Sequence, residues 1–137
     1  MKIQLILLQK QGFIRKDLRT LYPSYVSNSQ NFLFILLKQQ NLILKVYSSG
    51  LIDHLENELH PKCTILFGSA RKGEYTIKSD IDIFIQSKEQ SIDLVKFEKL
   101  INHRINLFFE ENLNKLSPEL FNNIVNGIKL SGYLRLK

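Results

Sequence analysis

Cys63-Thr64-Ile65-Leu66-Phe67-Gly68-Ser69-Ala70-Arg71-Lys72-Gly73, resuming at Ser79-Asp80-Ile81-Asp82-Ile83-Phe84-Ile85, is the stretch that decides the fold. Residues 63–67 are an apolar run suited to a buried strand, and Gly68-Ser69 breaks it. A polar segment leads to Asp80, after which apolar and polar residues alternate with period two, as in a half-buried strand. Aspartates at i and i+2 of a strand point to the same face, roughly 6.5–7 Å apart along the backbone. Ile81, Ile83 and Ile85 then anchor the opposite face in a core. Two acids side by side repel one another unless a cation sits between them, so Asp80 and Asp82 read as employed.

This pattern suits one kind of chemistry. A hydroxyl attacking the α-phosphate of a nucleoside triphosphate is best served by two Mg²⁺ ions about 3.5–4 Å apart. Mg²⁺ takes one or two carboxylates and completes its shell with substrate phosphates and water. The triphosphate needs a cradle, and Gly68 lets the backbone approach it because no Cβ obstructs. Ser69 adds a hydroxyl and an N–H, and a helix starting there would add its positive end. Arg71 and Lys72 offer charge nearby, although an exposed basic loop would read the same way. Ser79 reads as a hydrogen-bonding support beside the acids.

Gly-Ser, about ten residues, then Asp-x-Asp resembles the signature of the nucleotidyltransferase superfamily of the DNA-polymerase-β type. In its compact form, Gly-Ser-x-x-x-Gly with Ser-Asp-x-Asp, it is similar to the minimal nucleotidyltransferases of bacteria and archaea. The resemblance covers roughly residues 52–134. It implies an α/β (α+β) fold, a small mixed β-sheet with helices on one face. It makes Gly68 and Ser69 phosphate binders, joined by Arg71, Lys72 and Ser79, and Asp80 and Asp82 catalytic metal ligands. The implied cofactors are Mg²⁺, as two ions, with ATP or another triphosphate as substrate. One departure stands out. Active relatives carry a third carboxylate on the strand after the next helix, and here that setting reads Ile105-Asn106-Leu107. Asn106 can ligate Mg²⁺ through its carbonyl but is neutral; Glu110 or Glu111 would substitute if the strand end turned inward.

Outward from this centre, residues 91–103 read as a helix and Arg104–Phe109 as a third strand. Pro118 opens a helix that Gly127 ends, and residues 128–134 form a last strand. Upstream, Leu51, Ile52, Leu55 and Leu59 mark a helix over 51–60 that stops at Pro61. Residues 1–50 read as a separate module: a helix up to Gly12, a second over Phe13–Leu21 ended by Pro23, a third following Val26, then a strand at Leu42–Tyr47. A residue among Ser27, Asn28, Ser29, Gln30 and Asn31 caps the third helix. Three helices and a strand give the layout of a winged helix-turn-helix, with Ser24–Gln40 in the recognition-helix position. A helical cap packed on the catalytic domain is the alternative. The domains expected are thus 1–50 and 51–137.

Charge supports that division. Residues 1–50 hold seven Lys/Arg against the single acid Asp17, whereas the other 87 residues carry twelve of each sign. All the surplus of +6 therefore lies in the first module, which makes nucleic acid a candidate partner. The lone Cys63 excludes an internal disulfide and a cysteine-rich zinc site, and reads as a small buried strand residue. No apolar run reaches the ~18 residues of a membrane span, and no signal-peptide pattern opens the chain; a cytoplasmic protein without a membrane partner is expected. His54, His60 and His103 lack metal-like spacing. A chain this short leaves little room for an acceptor pocket, so a macromolecular acceptor is expected, a HEPN-type toxin being the precedent among related toxin–antitoxin pairs. The alternative is a catalytically weak or inactive member acting as a DNA-binding regulator or antitoxin.

Overall fold

The computed structural model describes every residue except Met1, Thr20, Pro23, Ser29 and Tyr75, and of Lys2 and Ile3 only the backbone. The chain divides into two compact units, Met1–Lys38 and Gln39–Lys137. The division falls within one helix, so the boundary expected between residues 50 and 51 lies inside the second unit.

The first unit opens with α1 (Lys2–Lys10). An antiparallel hairpin of β1 (Ile14–Asp17) and β2 (Ser24–Ser27) follows, with Ile14 opposite Ser27 and Asp17 opposite Ser24. The helix expected over Phe13–Leu21 is therefore a strand and turn. Leu18 and Leu21 are 82% and 98% exposed, so their near-helical spacing marks no packed face. Pro23, expected to end that segment, lies outside the described residues, as does Ser29, one of the candidate caps. Asn31 caps the next helix, its Oδ1 accepting from the Phe34 N–H at 2.9 Å. That helix, α2, runs Phe32–Ser48 and absorbs Leu42–Tyr47, expected as a strand. Leu42 and Val46, four residues apart, are buried, while Leu44 between them is 67% exposed. Burial at i and i+4 is a helical period, and it overrides the strand-like composition of the segment. Helix, hairpin, helix thus replaces the three helices and a strand read from the sequence.

In the second unit α3 (Leu51–Leu59) buries Leu51, Ile52, Leu55 and Leu59. It ends at His60 in the left-handed conformation, just before Pro61. Then come β3 (Cys63–Phe67), the single turn α4 (Gly68–Arg71), β4 (Ile81–Ile85), α5 (Val95–Ile101) and β5 (Ile105–Phe109). A short 3₁₀ turn, Leu113–Lys115, leads to α6 (Pro118–Val125) and β6 (Ile128–Gly132). The strands form one mixed sheet in the order β5-β4-β3-β6. β3 is antiparallel to β4 and β6, and β4 is parallel to β5, a pairing that needs a crossover such as α5.

One face of the sheet presents Leu66, Ile81, Ile83 and Ile85 to residues of α2, α3 and α5, among them Val46, Leu55 and Phe97. The other presents Cys63, Ile65, Phe67 and Phe84 to Ile124 of α6. Helices cover one face as expected, and α6 adds cover on the second. Ser117 caps α6 by accepting from the Leu120 N–H at 3.2 Å, and Pro118 occupies its first turn. Gly127 serves there by its size: a Cβ would stand 2.7 Å from the Leu66 carbonyl oxygen. Cys63 is fully buried, and burial pushes its thiol pKa up, so it behaves as a packing residue. No helix among the described residues is long and apolar enough to cross a membrane.

Candidate functional site

Strand direction assembles the site. Because β3 runs antiparallel to β4, the bend after Phe67 meets the start of β4. Because β5 runs parallel to β4, its first residues lie beside the same point. Phe67, Asp82 and Asn106 are neighbours across three strands, and period two puts their side chains on one face. Ile81 and Ile83 are fully buried on the other face and hold the register, since a slip of one residue would bury both acids. Phe67 is braced by the Phe108 ring, edge-on with centroids 5.2 Å apart.

Gly68 sits at φ +72°, and a Cβ placed there would collide with Asp82 Oδ2. Two demands therefore meet at this residue: a left-handed backbone, and room for a carboxylate against the main chain. The following helix is only the turn Gly68–Arg71, too short for the helix dipole expected. What it offers an anion is free backbone N–H groups at its start. Among the described residues no partner engages the Ser69 hydroxyl, while the Ser69 carbonyl accepts from the Glu74 N–H at 3.0 Å. The Nε of Arg71 is buried and has no hydrogen-bond partner among the described residues, and the Arg71 carbonyl accepts from the Gln39 side chain. A buried guanidinium N–H left unpaired is costly, and a phosphate oxygen would satisfy it. Lys72 is exposed.

Asp80 and Asp82 are brought together by Asn106. Its Nδ2 donates to Asp80 Oδ2 and to Asp82 Oδ1, each at 3.2 Å. Only the amide nitrogen can face two carboxylates; the amide oxygen would repel both. All three side chains are half-buried. The amide thus relieves the repulsion between the two acids. Glu110 and Glu111 do not reach this point. The Glu110 N–H donates to the Ile85 carbonyl at 3.3 Å and the Glu111 carbonyl accepts from Gln86 at 3.2 Å, placing both at the far end of the strands. The expectation that either replaces a third carboxylate fails on that geometry. Ser79 acts as a support: its hydroxyl accepts from the Thr76 N–H at 2.9 Å and lies 3.2 Å from Thr76 Oγ1, closing the turn before Asp80.

The donors present suit Mg²⁺ delivered with a triphosphate. Among the described residues no three His, Cys, Asp or Glu side chains cluster, so no all-protein cage exists. Two carboxylates, with the rest of the shell left to substrate phosphates and water, are the protein share that Mg²⁺ takes.

His103 escaped the sequence reading. Its Nδ1 lies 2.9 Å from the Ser79 carbonyl and therefore donates to it, tying the turn before Asp80 to the residue ahead of β5. No signal in the sequence could have found this role, which comes from the parallel pairing that sets residues preceding β5 beside those preceding β4; the Ile81 N–H donates to the Arg104 carbonyl at 2.8 Å. His54 lies against Phe97, centroids 4.8 Å apart, and takes no part.

Residues 49–132 match the model of the family described as polymerase beta, nucleotidyltransferase. No curated protein matches the chain.

Proposed function

Because the chain belongs to the polymerase beta nucleotidyltransferase family, we propose that it moves a nucleoside monophosphate from ATP or another triphosphate to an acceptor hydroxyl. The observation that carries this reading is the Asp80–Asp82 pair packed against the Gly68 bend. Asp80 and Asp82 would hold Mg²⁺, which when bound neutralises charge on the attacking and leaving oxygens. The N–H groups after Gly68, the Ser69 hydroxyl and Arg71 would grip the phosphates, with Lys72 supplying charge from the surface. The acceptor oxygen forms a bond to the α-phosphorus as the bond to the β-phosphate oxygen breaks. Pyrophosphate departs with that electron pair. Asn106 is an amide and cannot take the hydroxyl proton, which passes to water. The acceptor is a macromolecule docking from outside, a HEPN-type toxin partner among the candidates.

A second reading has one observation in its favour. The Asn106 amide already bridges both acids, and it must turn over to offer its oxygen to a cation. A chain that binds nucleotide without turning it over, and regulates by binding DNA through its basic first unit or by acting as an antitoxin, would use the same residues. The two part experimentally. With labelled triphosphate, Mg²⁺ and cell lysate, the enzyme reading expects label in an acceptor. It expects Asp82→Ala to reduce that label at least ~10³-fold, the scale of losing preorganised charge stabilisation. Label that survives Asp82→Ala sinks the mechanism.

A further inference from the structure

A sheet in the order β5-β4-β3-β6 has two edges, and the chain treats them differently. β6 carries Lys129 within the strand, shifts register against β3 between Thr64 and Ile65, and ends at Gly132 in the left-handed region. A charge, an irregular register and a sharp end all keep an edge strand from pairing with another chain. β5 has none of these. Ile105-Asn106-Leu107-Phe108-Phe109 is uncharged, free of proline and glycine, and in even register with β4. Phe108 on it is 40% exposed.

Only half of the β5 backbone is used. The Ile81 N–H donates to the Arg104 carbonyl at 2.8 Å, and the Glu110 N–H donates to the Ile85 carbonyl at 3.3 Å. Residues 104 and 110 therefore turn their main-chain groups toward β4, and by alternation along the ladder so do Asn106 and Phe108. Ile105, Leu107 and Phe109 turn theirs outward, where no partner meets them among the described residues. Such a row of donors and acceptors is a template for one more strand.

The ends of the strand say which strand it takes. Arg104 precedes β5, while Glu110 and Glu111 follow it. Among the described residues the only ion pair is Arg19 with Asp17, so Arg104 has no acid of its own. The stretch from Arg104 to Glu110 is self-complementary about Leu107. A second copy laid antiparallel sets Ile105 against Phe109, Leu107 against Leu107, and each Arg104 against a Glu110. Only this register pairs all three outward residues, and each pair exchanges two hydrogen bonds. A parallel copy would set Arg104 beside Arg104 and Glu110 beside Glu110, where like charges repel.

We propose that β5 is the interface between two copies of this chain, related by a two-fold axis at Leu107 that joins their sheets into one. The surface is isologous, as two-fold pairing demands. The partner's Phe108 then lies opposite Asn106, on the face that carries Asp82, so each copy flanks the other's site. The interface stands whether or not the chain transfers nucleotides. Five residues make a small contact, so the dimer depends on concentration.

The test is sedimentation equilibrium of the full chain across a concentration series, at low salt and in EDTA so that no metal bridges the copies. A monomer–dimer equilibrium is expected. Leu107→Pro removes an outward N–H and leaves the ladder to β4 intact; it should weaken association at least ~10-fold. Arg104→Glu sets like charges together at both ends and should weaken it by about 10-fold. Arg104→Glu with Glu110→Arg should restore it. Melting curves verify that each variant folds, and the charge pair decides alone if Leu107→Pro does not. The proposal is overturned by a monomer at every concentration, by a dimer indifferent to either single change, or by a double variant as weak as Arg104→Glu.

Discussion

Two regions of this molecule carry their charge in opposite ways. The first fifty residues carry the entire surplus of +6 on side chains such as Arg15 and Lys16, which stand exposed on a two-stranded hairpin. They also hold most of the exposed large apolar side chains described. The sheet around Asp80 has no net charge to spare, and its charged groups are few, half-buried and fixed by hydrogen bonds. Diffuse charge attracts polyanions at long range, is screened by salt and survives single substitutions. Placed charge acts within a few ångströms and does not survive them. The contrast predicts steep mutational effects in one region and shallow ones in the other.

The largest effect short of removing an acid is expected at Gly68. Alanine at φ +72° costs about 1–2 kcal/mol in backbone strain, and its Cβ would drive the Asp82 carboxylate aside. Displacement of a reacting group by about 1 Å can cost 10²-fold. Gly68→Ala should therefore lower transfer, and Mn²⁺-dependent triphosphate binding, by roughly 10²-fold, with a lower Tm. A variant of wild-type activity would show that the bend and the acids do not work together.

Asn106→Asp comes next and has two signs. It removes the amide that bridges Asp80 and Asp82 and puts a third carboxylate beside them, so the metal-free protein should melt several degrees lower. The same change adds a metal ligand and a proton acceptor. Mg²⁺ should then raise its Tm far more than that of the wild type, because a ligand stabilises in proportion to its affinity for the native state. Transfer should rise by about 10²-fold, the low end of what a general base contributes. An unchanged response to Mg²⁺ would mean that Asn106 does not face the cation, and the enzyme reading would lose its account of that position.

These two residues also show what could be read without coordinates. That Gly68, Asp80 and Asp82 come together was legible because their placement depends on spacing within and beside short strands, where period two fixes direction and Ile81, Ile83 and Ile85 fix register. Asn106 was legible as a departure from an expected carboxylate. Its role as a bridge was not, since that required the register of β5 against β4. His103 and Arg104 were illegible for the same reason: parallel pairing joins residues far apart in sequence. Leu42–Tyr47, in the part of α2 that belongs to the second unit, went astray because composition favours a strand while burial of Leu42 and Val46 demands a helix. Leu18 and Leu21 misled because apolar spacing implies a packed face only where something packs.

Charge removal in the first unit should act mildly and through salt. If duplex DNA is its partner, Arg15→Ala with Lys16→Ala should reduce the slope of log affinity against log salt by about 2, near 0.9 per lost phosphate contact. Arg19→Ala should change it less. The Arg19 guanidinium already donates to Asp17 from Nε at 3.0 Å and Nη2 at 3.2 Å, and that hydrogen bonding holds the Asp17 carboxyl below its usual pKa. Equal effects of the three positions, or a slope that never moves, would remove DNA binding from the first unit.

The smallest effect lies inside the sheet, where it separates folding from function. Thr64 is fully buried beside Ile85, on the face covered by α2, α3 and α5, and its Oγ1 has no hydrogen-bond partner among the described residues. An unsatisfied buried hydroxyl costs on the order of 1–3 kcal/mol, and valine has almost the same shape without it. Thr64→Val should therefore raise stability by about 1 kcal/mol, read as a higher Tm, while triphosphate binding stays as it was, because Asp82 and Asn106 point from the opposite face. A gain in stability accompanied by altered binding would mean that the two faces of this sheet are mechanically coupled, and that the placed charges depend on the core beneath them as well as on their own register.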